Sequence, residues 1–254
     1  MNRREFLATG VAGLAATNVA TGSQVAVDAT PRQFFEWRQY HLRTGTPKNL
    51  VGDFYKNVGI AAMNRAGIKT VGVFNPIYGP NMPTLHVLLV HDSMDSVVNV
   101  HARLLADPEL REKGASFLDA TLSDPAFVRY ESSLMVAFSQ MPRIEPPAFK
   151  DRILEVRTYE SHSVKAGKKK IQMFNEGGEI AIFKRTGLSP VMFGETIIGP
   201  NQPNLTYMLA FKNMVDRDQK WQVFRDDPAW KQLSVDPAYK DTVSNITDVI
   251  LKPT

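Results

Sequence analysis

A short alternating run, Phe35-Glu36-Trp37-Arg38-Gln39-Tyr40, recurs later in the chain as Leu154-Glu155-Val156-Arg157-Thr158-Tyr159. Side chains of an extended segment alternate between faces, so the carboxylate, guanidinium and phenol of each run share one side of a strand. Arg38 and Arg157 are the candidate ligand-binding residues, as partners for an anion or a carbonyl oxygen. Glu36, Tyr40, Glu155 and Tyr159 are catalytic candidates, the carboxylates as bases and the phenols as acids or hydrogen-bond donors. The opposite faces carry Phe35, Trp37 and Gln39, or Leu154, Val156 and Thr158, and are expected to lie under helices. If two such sheets face each other, both polar sets enter one interior, where buried charge must be paired. The structural alternative is that each Glu and Arg form a bridge between the sheets that fixes how they pair.

The histidines follow no repeat. His91 stands where the second copy has Phe211, at a strand end, and is a further catalytic candidate expected to reach one end of the barrel. His101, opposite Trp221 in the repeat, lies on the apolar stripe of a helix and reads as a core histidine. No two histidines have metal-ligand spacing, so no metal site is expected. The sequence contains no cysteine, which excludes disulfides, thiolate nucleophiles and cysteine-held metals. It also lacks a serine nucleophile elbow, a P-loop and a dinucleotide glycine pattern, and no cofactor is expected.

The elements that position these residues come from one module written twice. Glu36 and Glu155 are 119 residues apart, while Gly79-Pro80-Asn81-Met82-Pro83 and Gly199-Pro200-Asn201-Gln202-Pro203 are 120 apart. Arg65-Ala66-Gly67 matches Arg185-Thr186-Gly187, and Asp107-Pro108 matches Asp227-Pro228. Each copy reads strand, helix, strand, strand, helix, strand, the order of the ferredoxin-like split βαβ arrangement. In the first copy the strands are Phe34 to Tyr40, Val71 to Ile77, Leu85 to Val90 and a stretch within Val128 to Phe138. The first helix, about Pro47 to Ala66, is expected to bury Leu50, Phe54, Val58 and Ala61 and to close at Gly67. The second starts near Ser93 with Met94, Val97, Val98, His101, Leu104 and Leu105 on one face. Gly-Pro-Asn-x-Pro supplies residues that tolerate unusual backbone angles in a tight hairpin loop. The expected organisation is a module over residues 33–140, a proline-rich linker over 141–150 and a second module over 151–254.

The Glu-x-Arg-x-Tyr strand, the Arg-x-Gly helix end and the Asp-Pro segment resemble the modules of the NIPSNAP family. The resemblance implies an α+β fold, two ferredoxin-like βαββαβ modules packed as an intramolecular dimeric α/β barrel. It further implies a small organic ligand, anionic or carbonyl-bearing, held in the barrel, with a cofactor-independent lyase, isomerase or oxygenase as the enzymatic form. A non-catalytic binding or assembly protein is the alternative that the resemblance leaves open.

Asn2-Arg3-Arg4-Glu5-Phe6-Leu7, followed by a mildly apolar stretch rich in Ala, Gly and Thr, reads as a twin-arginine signal over residues 1–29. The expected location is therefore periplasmic or secreted. The stretch is too short and polar to remain as a membrane span, so no stable membrane anchor is expected after cleavage. A net charge of +4, with Lys168-Lys169-Lys170 as the one basic run, does not build a nucleic-acid face. A small molecule is the expected partner, and edge strands offer a route to pairing with a second copy.

Overall fold

The computed structural model describes residues 31–44 and 50–254, so the twin-arginine segment lies outside the described residues. The first module runs β1 (Phe34–His41), α1 (Leu50–Phe54), a π-helical turn (Tyr55–Gly59), α2 (Ile60–Arg65), β2 (Thr70–Tyr78) and β3 (Thr84–His91). It continues through α3 (Met94–Ala106), α4 (Pro108–Lys113), α5 (Ala115–Leu118) and β4 (Arg129–Ala137). The second module repeats the order with β5 (Ile153–Glu160), α6 (Val164–Asn175), α7 (Glu179–Arg185), β6 (Ser189–Ile198) and β7 (Asn204–Phe211). It ends with α8 (Met214–Asp226), α9 (Pro228–Leu233) and β8 (Asn245–Pro253).

Local chemistry sets these boundaries. Ser93, Ser163 and Asn213 cap α3, α6 and α8 by accepting hydrogen bonds from backbone N–H groups of the first turn. Asp107 and Asp227 cap α4 and α9, each followed by proline at the first helical position. The same two aspartates accept from Arg65 Nε (2.7 Å) and Arg185 Nε (3.2 Å), so the repeated Arg-x-Gly and Asp-Pro motifs are the two ends of one tie. Gly67 and Gly187 close their helices at φ +100° and +84°. Asn81 and Asn201 hold φ 62° and 57° at the hairpin tips, conformations that asparagine tolerates better than most residues.

Each module forms an antiparallel sheet, β4-β1-β3-β2 and β8-β5-β7-β6, and the sheets join through β2–β8 and β4–β6 into one closed barrel. Closure removes free sheet edges. The expected route by which edge strands would pair two chains is therefore absent among the described strands. Phe35, Trp37, Leu88, Met135, Leu154, Val156 and Met208 pack inside the barrel. Ile144 and Phe149, from the segment between the modules, pack against that same cluster. Helices cover the outside of each sheet, making a second core around Tyr55, Val87 and Leu89 and a third around Phe174, Phe183 and Tyr207.

The expected facing of the first strands is therefore reversed. The apolar faces of β1 and β5 point into the lumen, and Glu36, Arg38, Tyr40, Glu155, Arg157 and Tyr159 point out beneath the helices. The lumen is shared by two sheets and offers few partners for charge, whereas the helices bring polar side chains within bonding distance. Helix phase also differs from expectation. Val51, Tyr55, Ala62 and Met63 are the buried residues of the first helical stretch, while Leu50, Phe54 and Val58 sit at its margin and Ala61 is exposed. On α3 the buried residues are Val100 and Leu104; Val98 and Leu105 are exposed.

Candidate functional site

Under the helices of the first module, Glu36 and Arg38 form a buried bidentate pair at 2.5 and 3.1 Å. Ser132, opposite Arg38 on β4, donates its hydroxyl to Glu36 at 3.0 Å. His91 Nε2 approaches the same carboxylate at 3.4 Å, and its Nδ1 lies 3.0 Å from Ser96 Oγ. His91 is wholly buried on the outer face of β3 and does not reach a barrel end, because it shares the face of Val87 and Leu89. Burial opposes ionisation of Glu36, but hydrogen bonds from His91, Arg38 and Ser132 and the guanidinium charge outweigh it and hold the carboxyl at about 2. Burial likewise opposes the charge of Arg38, and the Glu36 carboxylate overcomes it, keeping the guanidinium firmly protonated.

Arg38 also reaches His101, with 3.2 Å between Nη2 and Nε2. His101 is exposed at the rim of α3 rather than a core histidine. Its pKa is lowered, first by partial burial of the inner part of the ring and then by the Arg38 charge, so the imidazole is the neutral acceptor of this contact. Beside it, Tyr40 and Tyr55 share a hydroxyl–hydroxyl bond of 2.9 Å. Burial, reinforced by Tyr40, raises the Tyr55 pKa well above the ordinary phenol value, so Tyr55 stays neutral.

These groups form the floor of a cavity of about 230 Å³ whose walls include Phe54, Met63, Leu104, Phe117 and Phe127. Phe54 and Phe117 stack at 3.9 Å between centroids, and Tyr40 meets Phe127 edge-on at 5.2 Å. Tyr55 and Gly59, the ends of the π-helical turn, both line this space. Such turns concentrate at functional sites. The corresponding helix α6 is an uninterrupted α-helix.

The second module carries the same three residues in a different arrangement. Glu155 accepts from Trp221 Nε1 at 2.7 Å and from Arg217, while Arg157 pairs instead with Asp248 at 2.6 Å. Arg157 lies 5.0 Å from the Trp221 ring centroid. Tyr159 bonds Tyr207 at 3.0 Å, and burial pushes its pKa up to about 12. Lys170 enters from α6, bonds buried Glu179 at 2.8 Å and sits 4.5 Å from the Phe174 centroid and 6.0 Å from that of Trp230. Trp221 and Trp230 thus stand where the first module has His101 and Leu110, both of which border its cavity.

Glu36, Arg38, Tyr40 and His91 are therefore brought together in one buried cluster, whereas in the second module buried Glu155 and half-buried Arg157 meet at Trp221 with separate ion-pair partners, and half-buried Tyr159 bonds Tyr207. The two sets lie on opposite outer faces of the barrel and do not meet. Tyr55 and Ser132 were not singled out in the sequence, and Lys170 stood out only as the end of the basic run, although its side chain is buried. Their signal was faint: each is a polar group within an otherwise apolar or helical pattern, and neither tyrosine nor lysine at that spacing is diagnostic. The barrel has a separate cavity at its hairpin end, about 430 Å³ in volume, large enough for a small ligand. Among the described residues no group of three or more His, Asp or Glu side chains is placed to hold a metal ion, and no helix is long and apolar enough to cross a membrane.

The NIPSNAP family model matches residues 35–140 and 154–254, which together are most of the chain. Among solved structures, a provisionally named monooxygenase from Fusobacterium nucleatum aligns with a TM-score of 0.54 at 9% identity, over 87% of this chain and 92% of that one. A second, from Lactobacillus acidophilus, gives 0.51 at 10% identity over 87% and 94%. A NIPSNAP-like domain protein from Burkholderia xenovorans is 21% identical over 42% of this chain and 88% of its own, with a TM-score of 0.37. At these identities the likeness is one of fold. No curated protein matches the sequence.

Proposed function

The chain belongs to the NIPSNAP family, and from that premise we propose that its first module binds a small, largely apolar molecule bearing a carbonyl or carboxylate oxygen. The site is the cavity between sheet and helices, with the ligand oxygen directed at the Arg38, His101 and Tyr40 floor. One observation carries this reading: the region that Trp221 and Trp230 occupy in the second module is open in the first. Identical halves under purely structural demands would be filled alike. A volume of about 230 Å³ lies below the roughly 300–1,000 Å³ of drug-sized pockets, which restricts the guest to a small molecule.

The same groups bear on catalysis. Arg38 is placed to stabilise negative charge on a carbonyl oxygen, and the bonded hydroxyls of Tyr40 and Tyr55 are hydrogen-bond donors beside it. Glu36, held at about 2, is too weak a base for proton abstraction near neutral pH, so its part is to fix and balance Arg38. A cofactor-independent lyase, isomerase or oxygenase is the enzymatic form of the proposal. Non-catalytic binding is the second reading, favoured by the full engagement of Glu36 with Arg38, Ser132 and His91.

Native mass spectrometry of the purified protein, followed by calorimetric titration with benzoate and with acetophenone, tests the site. Saturable binding that His101→Trp abolishes without unfolding the chain supports it. Undiminished binding in that folded variant defeats it. We further propose that Arg3 and Arg4 direct export by the twin-arginine route. Retention of the Arg3→Lys, Arg4→Lys variant in the cytoplasm, with the unaltered chain in the periplasm, is the expected fractionation. Export of the double variant would remove this proposal.

A further inference from the structure

The open end of the barrel is chemically unlike the pocket under the helices. Alternation along the strands stacks polar residues above the apolar plug, so Gln39, Ser133, Thr158, Thr206 and Thr247 face the cavity of about 430 Å³. The two Gly-Pro-Asn-x-Pro loops reach its rim through Asn81 and Asn201, and Trp37 with Val156, Met135 and Val249 supplies an apolar floor. Both modules contribute, so the cavity exists only because the two halves close into one barrel.

The lining selects by charge and polarity. Its charged side chains among the described lining residues are Glu131 and Glu160, and Glu131 is paired with Arg129 at 3.1 Å just outside the lining. An anionic guest would meet these carboxylates with Arg129 already engaged by Glu131, and would lose its hydration uncompensated. Thr158 and Thr206 bond each other and Asn204 is held by Thr196 and its own loop, so a wholly apolar guest would strand the remaining groups, Gln39, Ser133 and Thr247. A ring with apolar C–H faces and equatorial hydroxyls satisfies both layers, lying on Trp37 and donating or accepting around its edge.

His86 gives an independent sign that the wall has hydrogen-bonding capacity to spare. It lines the cavity, is only 3% exposed and stands 5.4 Å from Trp37, ring centre to ring centre. Its Nε2 lies 3.1 Å from Thr84 Oγ1, but its Nδ1 has no hydrogen-bond partner among the protein's groups. Burial, with His41 adding to it, brings its pKa down to about 4, so the ring is neutral near pH 7 with one donor and one acceptor nitrogen. Buried polar atoms are normally paired, so this unpaired nitrogen, on a ring that borders the cavity, has bonding capacity that a guest hydroxyl could use once the ring turns toward it.

We infer that the barrel mouth is a binding site for a neutral polyhydroxylated ring, a monosaccharide or cyclitol, with His86, Thr247, Glu131 and Glu160 pairing its hydroxyls over Trp37. This site is separate from the pocket under the helices and does not depend on it.

Intrinsic tryptophan fluorescence and calorimetry on the full chain, with glucose, galactose and myo-inositol as probes and galacturonate as the charged control, test the inference. The expected result is saturable binding of at least one neutral probe, weaker binding of galacturonate, and a loss of about tenfold or more in affinity in Thr247→Val and His86→Phe. His101→Trp should leave this binding unchanged, which separates it from the first-module pocket. No saturation with any neutral probe up to about 10 mM overturns the inference, since weaker binding would be too feeble for a built site. Preference for galacturonate, or full binding in folded Thr247→Val and His86→Phe, overturns it equally. Should His86→Phe fail to fold, Thr247→Val alone decides, because it removes one lumen hydroxyl at nearly constant volume.

Discussion

His101 Nε2 lies 3.2 Å from Arg38 Nη2, a distance at which the imidazole must be neutral and accepting. The ring is held in that state by its own burial and by the guanidinium, against the opposing pull of Glu36. An NMR titration of the histidine signals should therefore place His101 below the ordinary histidine value. In Arg38→Met the guanidinium is gone while the carboxylate stays, so the His101 pKa should rise. A fall, or no change, would mean that the contact does not exist in solution.

Glu36 couples the cluster to acid stability. Its folded pKa of about 2 is depressed below the ordinary 4.5, so its contribution is fully present above about pH 4.5 and is lost as pH falls toward 2. Denaturant midpoints should decline through that window and decline less in Glu36→Gln. At neutral pH, Glu36→Gln should cost about 3 kcal/mol, because it leaves a buried guanidinium without its counter-charge. An unchanged acid limb in the variant would remove Glu36 from this account.

Lys170 and Glu179 make a buried pair with no counterpart in the first module, where Val51 stands in place of the lysine. Lys170→Met should destabilise the protein by about 3 kcal/mol, since Glu179 then stays buried alone. Burial already raises the Glu179 pKa, and losing Lys170 should raise it further. The double variant Lys170→Met, Glu179→Leu should recover most of the loss. Additive losses in the urea-unfolding cycle would show that the two residues act independently.

Trp221→His is the reciprocal of His101→Trp. It should open a cavity against Phe183 and Phe224 and remove the Nε1 donor to Glu155, costing about 3 kcal/mol. His101→Trp should cost far less, because it fills existing space. Thermal unfolding of the pair checks the asymmetry, and equal losses would contradict it.

The duplicated motifs made the fold legible: strand order, the Ser93 and Asp107 helix starts and the Gly67 stop all follow from local chemistry. The strand alternation also showed that Glu36, Arg38 and Tyr40 share a face. It did not show which face. Both sides of β1 are covered, one by the opposing sheet and one by helices, so hydrophobicity loses its power to tell inside from outside. The His101/Trp221 and Leu110/Trp230 differences were visible as letters, yet that they open one pocket and fill the other became plain only in three dimensions.

What the sequence determined by itself was the repeated module, its element boundaries and the chemical groups on each strand face, because these depend on neighbours a few residues apart. Tertiary structure alone decided that the Glu-Arg-Tyr sets turn outward, that Glu36 pairs with Arg38 while Glu155 pairs with Arg217, and that His86 keeps a buried, unpaired nitrogen beside the barrel mouth. Those outcomes depend on how volume and charge are shared between elements distant in the chain, and barrel closure settles that for all eight strands together.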